Sequence, residues 1–165
     1  METLKIGVIL SHAGASQSAY CTIRNFNLML QKQCNIAPII FYENLSRPCL
    51  NTSFSVMSIS EIFGFDGICI ATSISSASRL LKTTGKLKKY LYLWDTEWLR
   101  VPAQQPFSFS EIYNIYSNPK LTIIPRCENH KVLMESLFNI KTTDVVEDFD
   151  LKQLFKVLGH AKQII

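Results

Sequence analysis

The stretch LKIGVILSHAGASQSAYCTIRNFNLMLQKQ, Leu4–Gln33, changes its periodicity once, and that change decides the fold. Leu4–Leu10 is an apolar run without period-two alternation, the pattern of a strand covered on both faces. Ser11, His12, Ala13 and Gly14 break the run, after which Ala19, Ile23, Phe26 and Leu30 recur at helical spacing. A strand buried on both sides and followed by an amphipathic helix is the opening of a parallel crossover.

The same alternation continues along the chain. IAPIIFYE (Ile36–Glu43) reads as a second strand, NLSRPCLNTSF as a loop rich in turn formers, and SISEIFG as a short helix. DGICIAT is a third buried strand, followed by the helix SISSASRLLK with serine and threonine caps available in its first turn. KKYLYLW is the fourth strand, the region from Pro102 to Pro106 interrupts, and SFSEIYNIYS forms a helix capped by Ser108 or Ser110. KLTIIPR is the fifth strand and ENHKVLMESLF the next helix, TTDVVED reads as a short edge strand, and a terminal amphipathic helix begins near Asp150 and runs to Ile165. Regular alternation of buried strands and helices specifies a single Rossmann-like α/β domain spanning residues 1–165. Its expected architecture is a doubly wound, mainly parallel sheet of five or six strands with helices on both faces and the first strand in the middle.

Bulk properties agree with one ordered domain. The chain has 165 residues, 47% hydrophobic and 18% charged, so a full core is possible and no segment has the composition of a disordered tail. A net charge of +4 is too mild to indicate nucleic acid as a partner. The basic run Arg79, Lys82, Lys86, Lys88 and Lys89 lies between a helix end and a strand start, at the sheet edge away from the strand-end loops, and reads as a solvated face. Five cysteines without a CxxC pair read as free thiols of a reducing compartment, and no metal site is expected. No apolar run reaches the length of a membrane span, and a cytoplasmic location is expected.

Ligands of open α/β sheets bind outside the carboxyl ends of the strands, which directs attention to four loops. The first carries Ser11, His12, Gly14 and Ser16 into a helix N-terminus, where backbone N–H groups can hold an anion, although it is neither GxGxxG nor GxxxxGK[ST]. Its structural reading is a glycine-permitted turn with serine caps. The second loop offers Thr72 and Ser73. In the third, Trp94-Asp95-Thr96-Glu97-Trp98, Asp95 is a candidate general base, Glu97 a candidate ligand group and Trp98 a flat apolar wall, or else Asp95 caps a short helix while both indoles fill the core. The fourth offers Arg126, Glu128 and His130. Cys127 and His130 are spaced as a nucleophile pair, but no third group can be named for the histidine, and GxSxG is absent.

The order of elements, with DGICIATS before a helix, YLYLWDTEWL at the fourth strand and TIIPRCENHKVLMESLFN followed by DVVEDFD, resembles the N-terminal domain of GT-B glycosyltransferases, in particular phage-encoded glycosyltransferase-like proteins. The resemblance implies an acceptor-side domain, of a kind that often supplies the base, in which Asp95, Glu97 and His12 hold the general position of acceptor-side loops, with Asp95 the candidate base and His12 a second catalytic candidate. It also implies that the sugar nucleotide is held by another domain, so the chain alone is expected to be inactive, to need no cofactor of its own, and to work with a donor-binding partner chain or a second copy. Two alternatives stand beside it. One is a non-enzymatic binding or regulatory descendant, viral in origin, that targets a host protein. The other is a small Rossmann-like enzyme that uses the first loop to bind a phosphorylated small molecule.

Overall fold

The structure, a computed structural model, describes residues 3–99 and 106–160. Six strands form one sheet: β1 (Leu4–Leu10), β2 (Ile36–Tyr42), β3 (Ser55–Ser58), β4 (Gly67–Ala71), β5 (Leu87–Leu93) and β6 (Leu121–Pro125). Every neighbouring pair is parallel, and the order is β3-β2-β1-β4-β5-β6. β1 is therefore central. The order reverses between β1 and β4, the switch at which doubly wound sheets open a crevice.

Side-chain alternation divides the core into two layers. Ile6, Val8 and Leu10 of β1 join Ile68 and Ile70 of β4 and Tyr92 of β5 on one face, where they meet α1 (Gln17–Gln31) and α5 (Leu151–Val157). Ile9, Cys69, Ala71, Leu91 and Leu93 point to the other face, against α2 (Ile74–Leu81), α3 (Phe109–Tyr116) and α4 (Glu128–Phe138). Both faces are apolar because both are covered, so the strands show no polar alternation in sequence.

The helix starts follow the caps. Ser16 accepts from the Ala19 N–H, Ser73 and Ser76 form a capping box, and Ser108 pairs reciprocally with Glu111. Asp150 accepts from the Gln153 N–H and opens α5. That helix ends at Val157, and Gly159 turns into left-handed backbone at φ 77°; residues 161–165 of the expected longer helix lie outside the described residues. The interruption expected from Pro102 to Pro106 also falls largely outside them. Gly67 is the glycine the sheet demands. Its φ is +130°, and an added Cβ would stand 2.7 Å from the Lys5 carbonyl oxygen of β1.

Two elements depart from expectation. β3 is a four-residue edge strand, SVMS, whose serines and partial exposure give it no apolar signature. TTDVVED is not a strand. It runs beside the outer edge of β6 and bonds it twice, Thr143 N–H to Ile123 O at 3.1 Å and Val146 N–H to Pro125 O at 2.9 Å. Three residues on one side span two on the other, so the ladder cannot continue. The short helix expected at SISEIFG is a 3₁₀ turn, Ile59–Gly64. Among the described residues no helix is long and apolar enough to cross a membrane.

Candidate functional site

The carboxyl edge of the sheet carries a cleft of about 690 Å³ built from four segments. Gln17 and Ser18 come from the start of α1, and Trp94 and Asp95 from the end of β5. Arg126, Cys127 and His130 come from the turn between β6 and α4, and Glu147 and Asp148 from a 3₁₀ turn ahead of α5.

Arg126 is the centre of the arrangement. Its Nε and one terminal nitrogen donate to Asp148 Oδ1 at 3.0 and 2.6 Å, and the other terminal nitrogen donates to the Trp94 carbonyl at 3.3 Å. The guanidinium carbon sits 5.0 Å from the centre of the Trp94 ring, close enough for a cation–π contact. Three contacts from one side chain fix its position although it is partly exposed.

Asp148 is brought there by an unusual turn. Asp148 and Phe149 both have left-handed backbone, with φ 43° and 61°. Aspartate tolerates this region and phenylalanine does not, so the turn holds strain on the order of 1–3 kcal/mol. Burial of Phe149 offsets it: the ring is fully buried, lies 5.2 Å from Tyr92 and 6.3 Å from Phe26, and stacks on Trp94 at 6.5 Å. The Tyr92 hydroxyl donates to the Val146 carbonyl at 2.6 Å and accepts from the Phe149 N–H at 3.0 Å, and Asn25 donates to the Phe149 carbonyl at 2.8 Å. Burial raises the Tyr92 pKa, which keeps the hydroxyl protonated and able to make both bonds.

His130 stands 3.1 Å through Nδ1 from the Leu93 carbonyl oxygen. A carbonyl only accepts, so Nδ1 carries the proton and Nε2 is the nitrogen left for a ligand. The Asp95 carboxylate accepts from the Thr96 N–H at 2.7 Å. Trp94 is 8% exposed, and its Nε1–H is buried without an acceptor among the described residues.

Of the residues singled out from sequence, Trp94, Asp95, Arg126, Cys127 and His130 meet in this cleft. The others are placed elsewhere. Ser11 is exposed, and its carbonyl accepts from the Asn44 backbone N–H at 2.8 Å. An added Cβ on Gly14 would stand 3.2 Å from His12 Nδ1 and 3.3 Å from Ser46 Oγ, so this glycine and His12 shape the docking of the 44–50 loop. Ser16 is the α1 cap. Thr72 donates to the Ile9 carbonyl at 2.6 Å, and Ser73 caps α2. Glu97 accepts from the Ile74 N–H at 3.3 Å, at the start of that helix. Trp98 packs on the opposite face, edge-on to Phe138 at 5.4 Å. Glu128 is exposed on the first turn of α4.

Sequence reasoning missed Asp148 and Glu147, which sit in the segment read as a strand. The signal needed is a contact 22 residues distant from Arg126, and no local pattern encodes it. Trp94, read as core or site, is both: it belongs to the α1-side core and lines the cleft. Among the described residues no group of three or more His, Cys, Asp or Glu is placed to hold a metal ion. Comparison with family models, curated proteins and solved structures yields no match, so a functional assignment rests on the residues of the cleft.

Proposed function

We propose that the chain binds a small, neutral, hydroxyl-rich molecule of the carbohydrate class in this cleft, as the acceptor-side half of a glycosyl transfer whose donor half is a separate chain or domain. The observation that carries the reading is the charge balance of the cleft: among the described residues its lining holds the carboxylates of Asp95, Glu147 and Asp148 and the guanidinium of Arg126. Hydroxyls donate to carboxylates and accept from a guanidinium, so a polyol matches both. A phosphorylated ligand does not. At contact distances near 4 Å each unlike or like unit pair is worth about 4 kcal/mol at the effective dielectric of a protein surface, and Arg126 is already neutralised by Asp148. Of the first loop only its passage into α1, Gln17 and Ser18, reaches the cleft; Ser11–Ser16, which the phosphate reading also uses, do not line it. In the transfer reaction Asp95 takes the acceptor hydroxyl proton, and His130 Nε2 orients a neighbouring hydroxyl.

A non-enzymatic binding role is the second reading, favoured by one observation: Asp95 Oδ1 already accepts from the Thr96 N–H at 2.7 Å, a structural use of the group assigned as base. Both readings place the ligand in the same cleft. Both are tested in an assay of the chain with UDP-glucose and a panel of methyl glycosides. Binding without turnover, weakened several-fold by Asp95→Asn and by Arg126→Ala, supports the cleft as the site under either reading, and turnover that appears only when a donor-binding chain is added selects the acceptor half. Turnover abolished by Asp95→Asn would show that the chain needs no second half, and glycoside binding indifferent to both substitutions would remove the cleft as the site.

A further inference from the structure

The amino edge of the same strands carries a second concavity, of about 590 Å³, between the turn after α2 and the starts of β5 and β6. Four of its lining residues are lysines, Lys82, Lys88, Lys89 and Lys120, and none is acidic. Among the described residues no carboxylate pairs with any of the four; the ion pairs there lie at Lys5–Asp66, Arg79–Glu43, Arg126–Asp148 and Lys156–Asp144.

Lys89 separates this arrangement from an ordinary solvated face. It sits inside β5, is 7% exposed, and gives its ammonium one acceptor, the Thr83 carbonyl at 2.6 Å. An ammonium has three donors, and among the described residues this one meets a single acceptor, which leaves hydrogen-bonding capacity for a ligand. Burial, and then the charge of Lys120, hold its pKa below the ordinary lysine value. Lys82, Lys88 and Lys120, which line the same concavity, are exposed. Like charges gathered without a counter-charge among the described residues repel one another and attract anions.

We propose that this pocket is a binding site for a compact polyanion carrying two or more closely spaced phosphate groups, held by Lys82, Lys88, Lys89 and Lys120. Four lysines line the concavity, more than one phosphate group can engage, and it has the volume of a small-molecule site. The site is independent of the carboxyl-edge cleft, since β5 and β6 span the sheet between them.

The test is calorimetric titration of the full chain with sodium tripolyphosphate, ATP and a single-stranded oligonucleotide, at two salt concentrations. Tripolyphosphate is expected to bind, more weakly at the higher salt. The double variant Lys88→Gln/Lys120→Gln removes two exposed charges without touching the core and should weaken binding about tenfold or more, given the strength of charge-assisted hydrogen bonds. Arg126→Ala should leave it unchanged. ATP binding as tightly as tripolyphosphate identifies phosphate on a nucleotide as the source, and weaker ATP binding identifies free polyphosphate; either supports the site. Equal affinity in the double variant, or no heat from tripolyphosphate or ATP, would overturn it. Tighter binding of the oligonucleotide than of both would also overturn it, in favour of an extended nucleic-acid surface.

Discussion

Replacing Tyr92 by phenylalanine removes one oxygen atom and tests how the cleft is held. That oxygen donates to the Val146 carbonyl and accepts from the Phe149 N–H, and both of those residues are fully buried. A buried backbone group left without a partner costs about 1–3 kcal/mol, so the two together cost about 2–6 kcal/mol if nothing moves. Relaxation lowers this. The left-handed pair Asp148–Phe149 regains up to a few kcal/mol of strain when the turn loosens, and Asp148 is exposed enough for water to enter beside it. A net loss of about 2–3 kcal/mol follows. Urea denaturation measures it, and hydrogen exchange at the Phe149 amide locates it: the amide should become one of the fast-exchanging positions while those of β1 and β4 stay slow. Arg126 would lose the fixed position of its Asp148 partner, and methyl glycoside affinity should fall with it. A stability loss under about 0.5 kcal/mol, with the Phe149 amide still protected, would refute the assignment of Tyr92 as the support of the turn.

Gly67→Ala meets both a positive φ of +130° and the Lys5 carbonyl oxygen at 2.7 Å, so it should cost at least about 2 kcal/mol and lower the Tm by roughly 5 °C or more in a thermal melt. Alkaline pH should destabilise the protein. Burial raises the pKa of Cys69, Tyr92 and Tyr116, so in the folded state they keep protons that the unfolded chain releases from its ordinary values near 9 and 10. Their contribution is complete below those values and is lost as the pH climbs above them; Lys89, whose pKa is lowered, opposes with a single group. Tyr116→Phe should make the fall above pH 10 shallower by one proton, about 1.4 kcal/mol per pH unit, as read from denaturation midpoints across the alkaline range.

The fold was legible because each central strand is buried twice. Leu4–Leu10 and Gly67–Ala71 face helices on both sides, so apolarity without alternation appears in the sequence itself, and Ser16, Ser73 and Ser108 mark the helix starts by their own chemistry. Edges were not legible. β3 buries little, and a strand without a buried face leaves no period to read. TTDVVED has the β-branched composition of a strand, yet its two bonds to β6 are out of register, which is a property of the partner and not of the segment. The site divides along the same line. Asp95, Arg126 and His130 sit directly after β5 and β6, and the strand-end rule finds them. Asp148 reaches Arg126 through a turn held by Phe149, Tyr92 and Asn25, contacts that span 57 and 124 residues of chain. Trp94 and Trp98, four residues apart, go to opposite faces because β5 ends at Leu93 and the chain enters a 3₁₀ turn at Glu97–Leu99, so the pair of indoles in the sequence never forms one wall.

The most direct measurement is an amide chemical-shift titration of the intact chain with methyl glucoside, N-acetylglucosamine and glucose 6-phosphate, repeated on Arg126→Ala. The neutral sugars should shift the amides of Gln17, Ser18, Asp95, Cys127 and Asp148, with millimolar affinity that the substitution weakens several-fold, and glucose 6-phosphate should bind the cleft more weakly than either. Tighter binding of the phosphorylated sugar at those same amides, or shifts confined to the Ser11–Ser16 loop, would contradict a carbohydrate site built on three carboxylates and one arginine.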